Sequence, residues 1–266
     1  MAKKTVLDIL GMLNEGQKIT MLTAYDFVIS SILDEAGTDI LLVGDTMGMV
    51  VYGNPTTLSV SIEDSIRHTQ AVARGAKTAM VVGDLPFGTF QVSAEEAVRN
   101  AIQLVQLGTA EAIKLEGGSE RVEAIERILD AGIPVMGHLG LTPQSFYKFG
   151  GFKVQGRTED AAEFLVKEAL ALEKAGVFSL VLEAIPWKVA KKITEKLTTC
   201  ATIGIGAGPY CDGQVLVTYD MLGYFDFKAK FVKRFVNLKS QILEAGQKYN
   251  DEVRKGIFPD LDYSYE

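Results

Sequence analysis

Ionisable side chains stand at or near the ends of five short apolar runs in this sequence. Each run is typical of a buried strand, and the residues concerned are Asp45, Asp84, Lys114, Glu116, His138 and Glu183. In a barrel of alternating strands and helices, the carboxyl ends of the strands converge on one face, where active sites are built. A charge buried there is costly without a ligand, a metal ion or a partner of opposite charge. The pattern therefore predicts a polar, metal-bearing pocket on an α/β scaffold.

Three of these residues are carboxylates at the ends of consecutive predicted strands, namely Asp45, Asp84 and Glu116. Carboxylates from adjacent strands can share one hard cation, and Mg²⁺ prefers oxygen ligands while keeping positions open for water and substrate. Each carboxylate alone could instead cap the next helix or pair with a lysine. Like charges clustered in a pocket need a counter-ion, so for the three together the sequence favours Mg²⁺.

The other ionisable residues suggest roles around such a metal ion. Lys114 lies two residues before Glu116, which places both side chains on one face of a strand. This lysine could anchor a substrate carboxylate or stabilise an enolate, form a structural ion pair, or act as a Schiff-base nucleophile; the first role suits a metal site best. Glu183 is either a general base or a salt-bridged strand end. His138 is expected to line the pocket or to be a hydrogen-bonded core residue, whereas His68 is typical of a structural helix residue.

The elements that must position these side chains alternate between strand and helix along the whole chain, with no internal linker rich in Pro, Gly and Ser. The length of 266 residues is close to the roughly 250 typical of one such barrel. We predict a single-domain (β/α)8 TIM barrel over residues 1–266, with an N-terminal helix that plugs its bottom and a C-terminal helical extension from Phe231 to about Lys255. The predicted strands are Ile19–Tyr25, Ile40–Gly44, Ala79–Asp84, Ala112–Glu116, Pro134–His138, Ser179–Glu183, Thr202–Ile205 and, more weakly, Val215–Val217.

Two helix starts and two loops stand out within this pattern. Ser61 and Ser93 are each followed three residues later by an acidic residue, which predicts a capping signal at Ser61 and a capping box at Ser93. The connections 46–60 and 139–158, after the second and fifth strands, are longer than the others and are candidates for active-site loops or lids.

Composition excludes several classes of function. The net charge is −7 with the basic residues dispersed, which argues against nucleic acid as the main partner. The two cysteines, Cys200 and Cys211, lack the spacing of a zinc site or a disulfide framework and fit a reducing compartment. No apolar run approaches the roughly 20 residues of a membrane span. The glycine run at 204–208 lacks the third glycine of a dinucleotide fingerprint, because Pro209 stands there.

Eight short segments, taken in order, carry a resemblance that covers nearly the whole chain. They are Thr23–Asp26, Val43–Met49, Gly83–Phe87, Lys114–Gly118, Gly137–Gln144, Gly151–Arg157, Leu182–Pro186 and Ile203–Gly208. Together these segments resemble the ketopantoate hydroxymethyltransferase family. The resemblance implies a barrel of the wider phosphoenolpyruvate/pyruvate-type group and an enzyme that transfers a hydroxymethyl group from 5,10-methylenetetrahydrofolate to 3-methyl-2-oxobutanoate. The product would be 2-dehydropantoate, on the route to pantothenate and coenzyme A.

The resemblance also implies Mg²⁺, a cytoplasmic homodecamer and a set of site residues. The residues implied around the metal ion are Asp45, Asp84 and Glu116. Those implied to contact the 2-oxo acid are Asp45, Thr46, Asp84 and Lys114. Glu183 would be the catalytic base. Thr46 replaces a serine that is common in the family and keeps the hydroxyl group; Tyr219 stands where many relatives are expected to have histidine, and no role is assigned to it.

Two other functions fit part of the pattern. A Mg²⁺-dependent lyase or mutase of the phosphoenolpyruvate mutase/isocitrate lyase type would share the barrel, the metal ion and a 2-oxo acid. Such lyases often carry a reactive cysteine in an active-site loop, and neither Cys200 nor Cys211 has the flanking pattern expected of it. A metal-dependent binding protein on an inactive barrel would have no need of a general base such as Glu183.

Overall fold

Eight parallel strands close into a barrel in the order of the sequence, which confirms the predicted (β/α)8 fold. The computed structural model describes residues 2–226 and 229–266. The strands are β1 (Ile19–Thr23), β2 (Ile40–Val43), β3 (Met80–Asp84), β4 (Ala112–Lys114), β5 (Val135–Gly140), β6 (Ser179–Glu183), β7 (Ala201–Ile205) and β8 (Gly213–Leu216). Every predicted strand is present, with ends that shift by at most two residues.

Helices follow the strands along the chain. They are α1 (Val6–Asn14), α2 (Phe27–Glu35), α3 (Met47–Val50), α4 (Ile62–Gly75), α5 (Ala94–Gln106), α6 (Val122–Asp130), α7 (Phe146–Phe149), α8 (Glu159–Ala175), α9 (Trp187–Lys196), α10 (Thr218–Leu222) and α11 (Leu238–Arg254). The chain divides into two compact units, Met1–Val217 and Thr218–Glu266. The barrel lies in the first unit, and the prediction of one domain over residues 1–266 stays a prediction.

Side chains on the strands alternate between two apolar layers, as the period of two along a strand requires. One buried cluster contains inward-facing residues from all eight strands, among them Met21, Leu42 and Val82. The other contains outward-facing strand residues such as Ile113 and Leu180, packed against the surrounding helices. The barrel interior is therefore a packed core, and the parity of a residue in its strand decides which layer it enters.

Helix α1 closes the amino-terminal end of the barrel, as predicted. Ile9 is fully buried in the interior cluster, and Val6, Met12 and Leu13 pack against that cluster. The residues before the helix fix its position, because Lys4 pairs with Asp39 and its backbone N–H donates to the carbonyl oxygen of Thr78. Asp39 directly precedes β2 and Thr78 stands two residues before β3, so this end of the barrel is opposite to the carboxyl ends of the strands.

The capping interaction predicted at Ser61 is confirmed in full, and the one predicted at Ser93 is confirmed in part. The hydroxyl of Ser61 accepts from the N–H of Asp64, and the Asp64 carboxylate accepts from the N–H of Ser61, which is a complete capping box. Ser93 caps α5 by accepting from the N–H of Glu96 at 3.1 Å. In the described part of the chain the reciprocal bond to the Glu96 carboxylate is absent, so the predicted capping box at Ser93 is wrong in that half.

The second unit, Thr218–Glu266, contains α10 and α11. The helix predicted from Phe231 begins instead at Leu238, because the side chain of Asn237 caps it by accepting from the N–H of Ser240. Tyr219 stacks on Tyr224 with ring centroids 4.6 Å apart. Within residues 2–226 and 229–266, no helix combines the length and the apolarity needed to cross a membrane.

Candidate active site

In β3 to β6, the inward-facing positions change from apolar to ionisable toward the carboxyl ends of the strands. In β3, Met80 and Val82 belong to the interior cluster, and the next inward position is Asp84. Ala112 of β4 is followed on the same face by Lys114 and then by Glu116. The same change brings His138 of β5 and Glu183 of β6 to this end of the barrel. The strand period alone thus gathers these ionisable groups at one mouth of the barrel.

Lys114 and Asp84 form a buried ion pair on neighbouring strands. Their Cα atoms are register partners in the β3–β4 ladder. The Lys114 Nζ donates to both carboxylate oxygens of Asp84, at 2.8 and 2.7 Å, and both residues are at most 3% exposed. Burial lowers the pKa of Lys114, but the charges of Asp84, Glu116 and Asp45 outweigh burial and hold it above the usual value. Lys114 is therefore a charged ammonium group.

Asp45 and Glu116 are buried carboxylates without a dedicated cation. Burial, together with the charge of Asp84, raises the pKa of Asp45 to about 7. Burial also raises the pKa of Glu116 well above its usual value, against the opposing attraction of Lys114. Three carboxylates thus share one ammonium group, and that group already contacts both oxygens of Asp84. The cluster lacks positive charge.

Gln144 links Asp45 to Glu116. Its backbone N–H donates to the Glu116 Oε2 at 3.0 Å. Its side-chain Nε2 donates to the Asp45 Oδ2 at 3.0 Å and to the carbonyl oxygen of Leu85 at 2.9 Å. The Oε1 of Gln144 accepts from the Nε2 of Gln91 at 3.0 Å. This buried glutamine, in the long connection after β5, therefore holds two of the three carboxylates and ties them to the loop after β3.

His138 lies between Glu116 and Glu183. Its Nδ1 is 3.6 Å from Glu116 Oε1 and its Nε2 is 3.3 Å from Glu183 Oε2. Neither ring nitrogen has a hydrogen bond of good geometry to a described residue. Burial lowers the pKa of His138, although Glu183 partly opposes this, so the ring is neutral near pH 7. The side chain of Glu183 is 17% exposed, whereas that of His138 is 3% exposed.

Thr46 lies at the start of α3, in the long connection after β2. Its Oγ1 is 2.7 Å from the hydroxyl oxygen of Tyr25, which follows β1 and is buried. His68, predicted to be structural, lies on α4 with its Nδ1 against the carbonyl oxygen of Tyr25 and its Nε2 2.8 Å from the hydroxyl of Tyr52. The connection after β5 thus supplies Gln144 to the cluster, whereas Thr46, next to Asp45 in sequence, contacts Tyr25.

The donor set fits a divalent metal ion. Among residues 2–226 and 229–266, no three His, Cys, Asp or Glu side chains are arranged as a ready cage for one. Mg²⁺ is commonly held by one or two carboxylates, with water and substrate oxygens completing its shell, so a cage of three is not required. The raised pKa values of Asp45 and Glu116 reflect buried oxygen donors that lack a counter-charge. A hard cation supplies that charge.

Most of the residues singled out in the sequence meet at this site. Asp45, Asp84, Lys114 and Glu116 form the buried cluster, and Glu183 reaches it through His138. Gln144 bonds to the cluster and Gln91 bonds to Gln144, although the sequence pattern predicts no role for either residue. A neutral glutamine in a loop has no periodicity or charge signal, and its place within the segment Gly137–Gln144 was the only indication.

Comparison with known proteins agrees with this geometry. A sequence profile of the ketopantoate hydroxymethyltransferase family matches residues 3–261. The 3-methyl-2-oxobutanoate hydroxymethyltransferase of Syntrophus aciditrophicus (strain SB) is 54% identical over 264 residues, which cover 99% of this chain and 97% of the relative. That of Syntrophomonas wolfei subsp. wolfei (strain DSM 2245B / Goettingen) is 52% identical over 266 residues, covering 100% and 96%.

Among solved structures, phosphonopyruvate hydrolase in complex with oxalate and Mg²⁺ superposes with a TM-score of 0.63. The identity is 13%, and the match covers 100% of this chain and 92% of that chain. At this identity the likeness concerns the fold alone.

Proposed function

Since this chain belongs to the ketopantoate hydroxymethyltransferase family and is an enzyme of the transferase class, we propose that it converts 3-methyl-2-oxobutanoate into 2-dehydropantoate. The hydroxymethyl group would come from 5,10-methylenetetrahydrofolate, in the pathway to pantothenate and coenzyme A. The same membership leads us to propose Mg²⁺ as the metal ion, a cytoplasmic location and a homodecameric assembly.

The observation that carries the proposal is the excess of buried carboxylates at the barrel mouth. Asp45, Asp84 and Glu116 surround a single ammonium group, that of Lys114. A 2-oxo acid offers a carboxylate and a keto oxygen on adjacent carbons. Such a pair suits a divalent cation with open positions and a neighbouring lysine.

The metal ion has a defined task in this proposal. Asp45, Asp84 and Glu116 would hold Mg²⁺, which when bound polarises the keto group of the oxo acid and acidifies its C3–H. The Nζ of Lys114 would face the substrate carboxylate or the enolate oxygen, as a fixed positive charge. Thr46 would donate its hydroxyl to the same substrate.

Glu183 would carry out the proton transfer. Its carboxylate would take the C3 proton, and the resulting enolate carbon would form a bond to the one-carbon unit of the folate. Water would then replace the folate nitrogen on that carbon: its oxygen becomes the new hydroxyl group, the carbon–nitrogen bond breaks, and tetrahydrofolate leaves with the proton. His138 lies 3.3 Å from the Glu183 Oε2 and limits where that carboxylate can turn.

Product formation tests the proposal. The purified protein is incubated with 3-methyl-2-oxobutanoate, 5,10-methylenetetrahydrofolate and Mg²⁺, and each component is left out in turn. We expect 2-dehydropantoate, detected by mass spectrometry, only when all three are present. A folded protein that forms no product in the complete mixture would refute the proposal.

The lyase or mutase alternative has no observation in its favour. The likeness to phosphonopyruvate hydrolase is at 13% identity, which supports a shared fold and says nothing of a shared reaction. Both cysteines are buried. Burial also raises the pKa of each thiol, which disfavours the thiolate form that a reactive cysteine needs.

A further inference from the structure

The long connection after β2 is held against α3, the helix that begins two residues after Asp45. Two hydrogen bonds fix residues 51–60 there. The backbone N–H of Asn54 donates to the carbonyl oxygen of Gly48 at 2.8 Å, and the side-chain amide of Asn54 donates to the hydroxyl of Ser59 at 2.7 Å. The chain therefore folds back toward the carboxylate that it has just left.

Gly48 lets the returning chain come close to Asp45. Its backbone N–H donates to the carbonyl oxygen of Asp45 at 2.9 Å. A Cβ at this position would lie 2.8 Å from the Cγ2 of Val60 and 3.6 Å from the Cα of Thr57. The first contact is too short for a real side chain, so any other residue would push the connection away. Glycine thus allows Thr57 to pack against the start of α3.

Thr57 is a buried residue whose hydroxyl group is unused. The residue is 1% exposed, and its Oγ1 has no hydrogen-bond partner among residues 2–226 and 229–266. Its carbonyl oxygen accepts from the N–H of Val60 at 3.2 Å, so the side chain is the part left unsatisfied. Valine has nearly the same shape and buries no polar atom. Packing alone therefore does not require threonine at this position.

The Asp45 carboxylate is the acceptor beside this hydroxyl. Burial is the main influence on Asp45 and raises its pKa, and the hydroxyl of Thr57 is among the groups that lower it. Gln144 already donates to the Oδ2 of Asp45 at 3.0 Å. An ionised carboxylate can accept several hydrogen bonds, so it has room for a second donor. The hydrogen of a hydroxyl group turns about the C–O bond and can follow the carboxylate.

Both of these donors to Asp45 are neutral. The charge of Asp84 is matched by the ammonium group of Lys114, whereas an amide or a hydroxyl orients a carboxylate without neutralising it. A carboxylate held in this way keeps its charge for a cation.

We propose that Thr57 is a positioning residue, whose hydroxyl donates to the Asp45 carboxylate when that carboxylate holds the divalent cation and thereby fixes the direction of its free lone pairs. This inference rests on the proposed function, which places a metal ion at Asp45. It gives the connection after β2 a task in the site.

Thr57→Val keeps the shape of the side chain and removes the hydroxyl, and it should change metal binding and stability in different directions. We expect the Kd for Mn²⁺ to rise by roughly 10- to 100-fold, as for other groups that orient a metal ligand. The urea midpoint of the metal-free protein should stay the same or rise, because an unsatisfied buried donor has been removed. A hydroxyl with a purely structural role would instead lower that midpoint and leave the Kd unchanged.

The test uses the full-length protein, freed of metal by dialysis against a chelator. Mn²⁺ is titrated in, and free Mn²⁺ is followed by electron paramagnetic resonance. Thr57→Ser keeps the hydroxyl and should restore most of the affinity lost in Thr57→Val. Thr202→Val is the control, because this buried hydroxyl donates to the Oδ2 of Asp212 at 2.8 Å, near the amino end of β7. It should lower the urea midpoint and leave the Kd for Mn²⁺ unchanged.

Three outcomes would overturn the role of Thr57 and leave the metal site standing. They are wild-type affinity in Thr57→Val, an affinity in Thr57→Ser as weak as in Thr57→Val, and a fall of the urea midpoint in Thr57→Val as large as in Thr202→Val. A folded wild-type protein that binds no Mn²⁺ would overturn the proposed metal ion and this role together.

Discussion

The chemistry of this site depends on an imbalance of charge: three buried carboxylates lie near one ammonium group. Asp84 is satisfied by Lys114, whereas Asp45 relies on the amide of Gln144 and carries a pKa of about 7. A proton and a divalent cation are alternative ways of neutralising Asp45. Metal binding and proton release are therefore linked at this residue.

This linkage predicts a pH dependence of metal binding. Burial favours the protonated form of Asp45, so below about pH 7 a proton must leave before the metal ion binds. We expect the Kd for Mg²⁺ to rise by about tenfold or more for each pH unit below 7, because burial also raises the pKa of Glu116 and its proton must leave as well. Calorimetric titrations between pH 5.5 and 8.5 would measure this. In Asp45→Asn the Kd should be much higher and its pH dependence weaker; a wild-type Kd that is flat across the range would contradict the argument.

Gln144 is expected to tune the metal site without touching the metal ion. Its Nε2 holds Asp45 at 3.0 Å, and its backbone N–H holds Glu116. Gln144→Met keeps the length of the side chain but removes this amide donor, and we expect the Kd for Mn²⁺ to rise by roughly 10- to 100-fold. Binding is followed by electron paramagnetic resonance of free Mn²⁺. Gln103→Met, on α5 and bonded to Asn100, is the control. Equal affinity in the two variants would refute the role.

The role of Glu183 as the base can be tested in a partial reaction in which no carbon–carbon bond forms. With Mg²⁺ and no folate, the enzyme should exchange the C3 proton of 3-methyl-2-oxobutanoate for deuterium in D₂O, which NMR detects. A general base typically contributes a factor of 10²–10⁴, so we expect Glu183→Gln to slow exchange by roughly that amount with little change in oxo-acid affinity. Glu163→Gln alters a surface carboxylate paired with Lys192 and should exchange normally. Full exchange in Glu183→Gln would exclude it as the base.

The sequence predicts the charged part of this site well, because charges at strand ends follow a simple rule. Asp84, Lys114 and Glu116 could be placed on one face from the period of two alone. Gln144 could not, since an uncharged amide in a loop is indistinguishable from a surface residue until the connection is folded back over the barrel mouth.

At the scale of elements, short side chains fix how helices join the barrel. Asp34, near the end of α2, is 8% exposed and accepts hydrogen bonds from the backbone N–H groups of Lys77, Thr78 and Ala79, at 2.6 to 3.0 Å. These three residues connect α4 to β3. One carboxylate thus attaches a helix to the entry of a neighbouring strand.

Asp34→Asn should cost about 2–3 kcal/mol of unfolding free energy at pH 7, since hydrogen bonds to a charged acceptor are lost. Burial raises the pKa of Asp34, but the bonds from Ala79, Thr78 and Lys77 outweigh burial and lower it. A lowered folded pKa stabilises the protein above the unfolded pKa of about 3.9, and the contribution is lost as the pH falls below it. Urea unfolding should show the difference from wild type shrinking as the pH falls from about 4 through the lowered pKa of folded Asp34. Glu35→Gln, next to it but exposed, should behave as wild type at every pH.

Sequence patterns predict the presence of the strands and helices better than they predict where each one begins and ends. The strands were found because buried parallel strands are apolar runs bounded by polar residues. Helix α11 begins at Leu238, seven residues after the predicted start at Phe231. The apolar residues from Phe231 onward have a helical spacing, but the helix begins only after the capping residue Asn237. At Ser93 the acidic residue was in the right place, but its carboxylate is not used.

At the scale of the whole first unit, the barrel interior is one column with different chemistry at its two ends. Ile9 of α1 closes the apolar end, and the ionisable cluster occupies the other. Because the strands run parallel, β3 to β6 each contribute their first inward residues to the core and their last to the site. The residues that stabilise the fold and the residues of the candidate site therefore lie at opposite ends of the barrel axis.

This separation predicts that the plug can be weakened without harm to the site. Ile9→Ala leaves a cavity at a fully buried position and should lower the unfolding free energy by about 2–4 kcal/mol. The kcat should stay within about twofold, since the carboxylates and their hydrogen bonds lie at the opposite end. Urea unfolding and steady-state product formation measure the two quantities. Leu7→Ala, on the same helix but 79% exposed, should change neither. A loss of kcat in Ile9→Ala under conditions where the protein stays folded would mean that the interior layers transmit strain to the site, against the separation argued here.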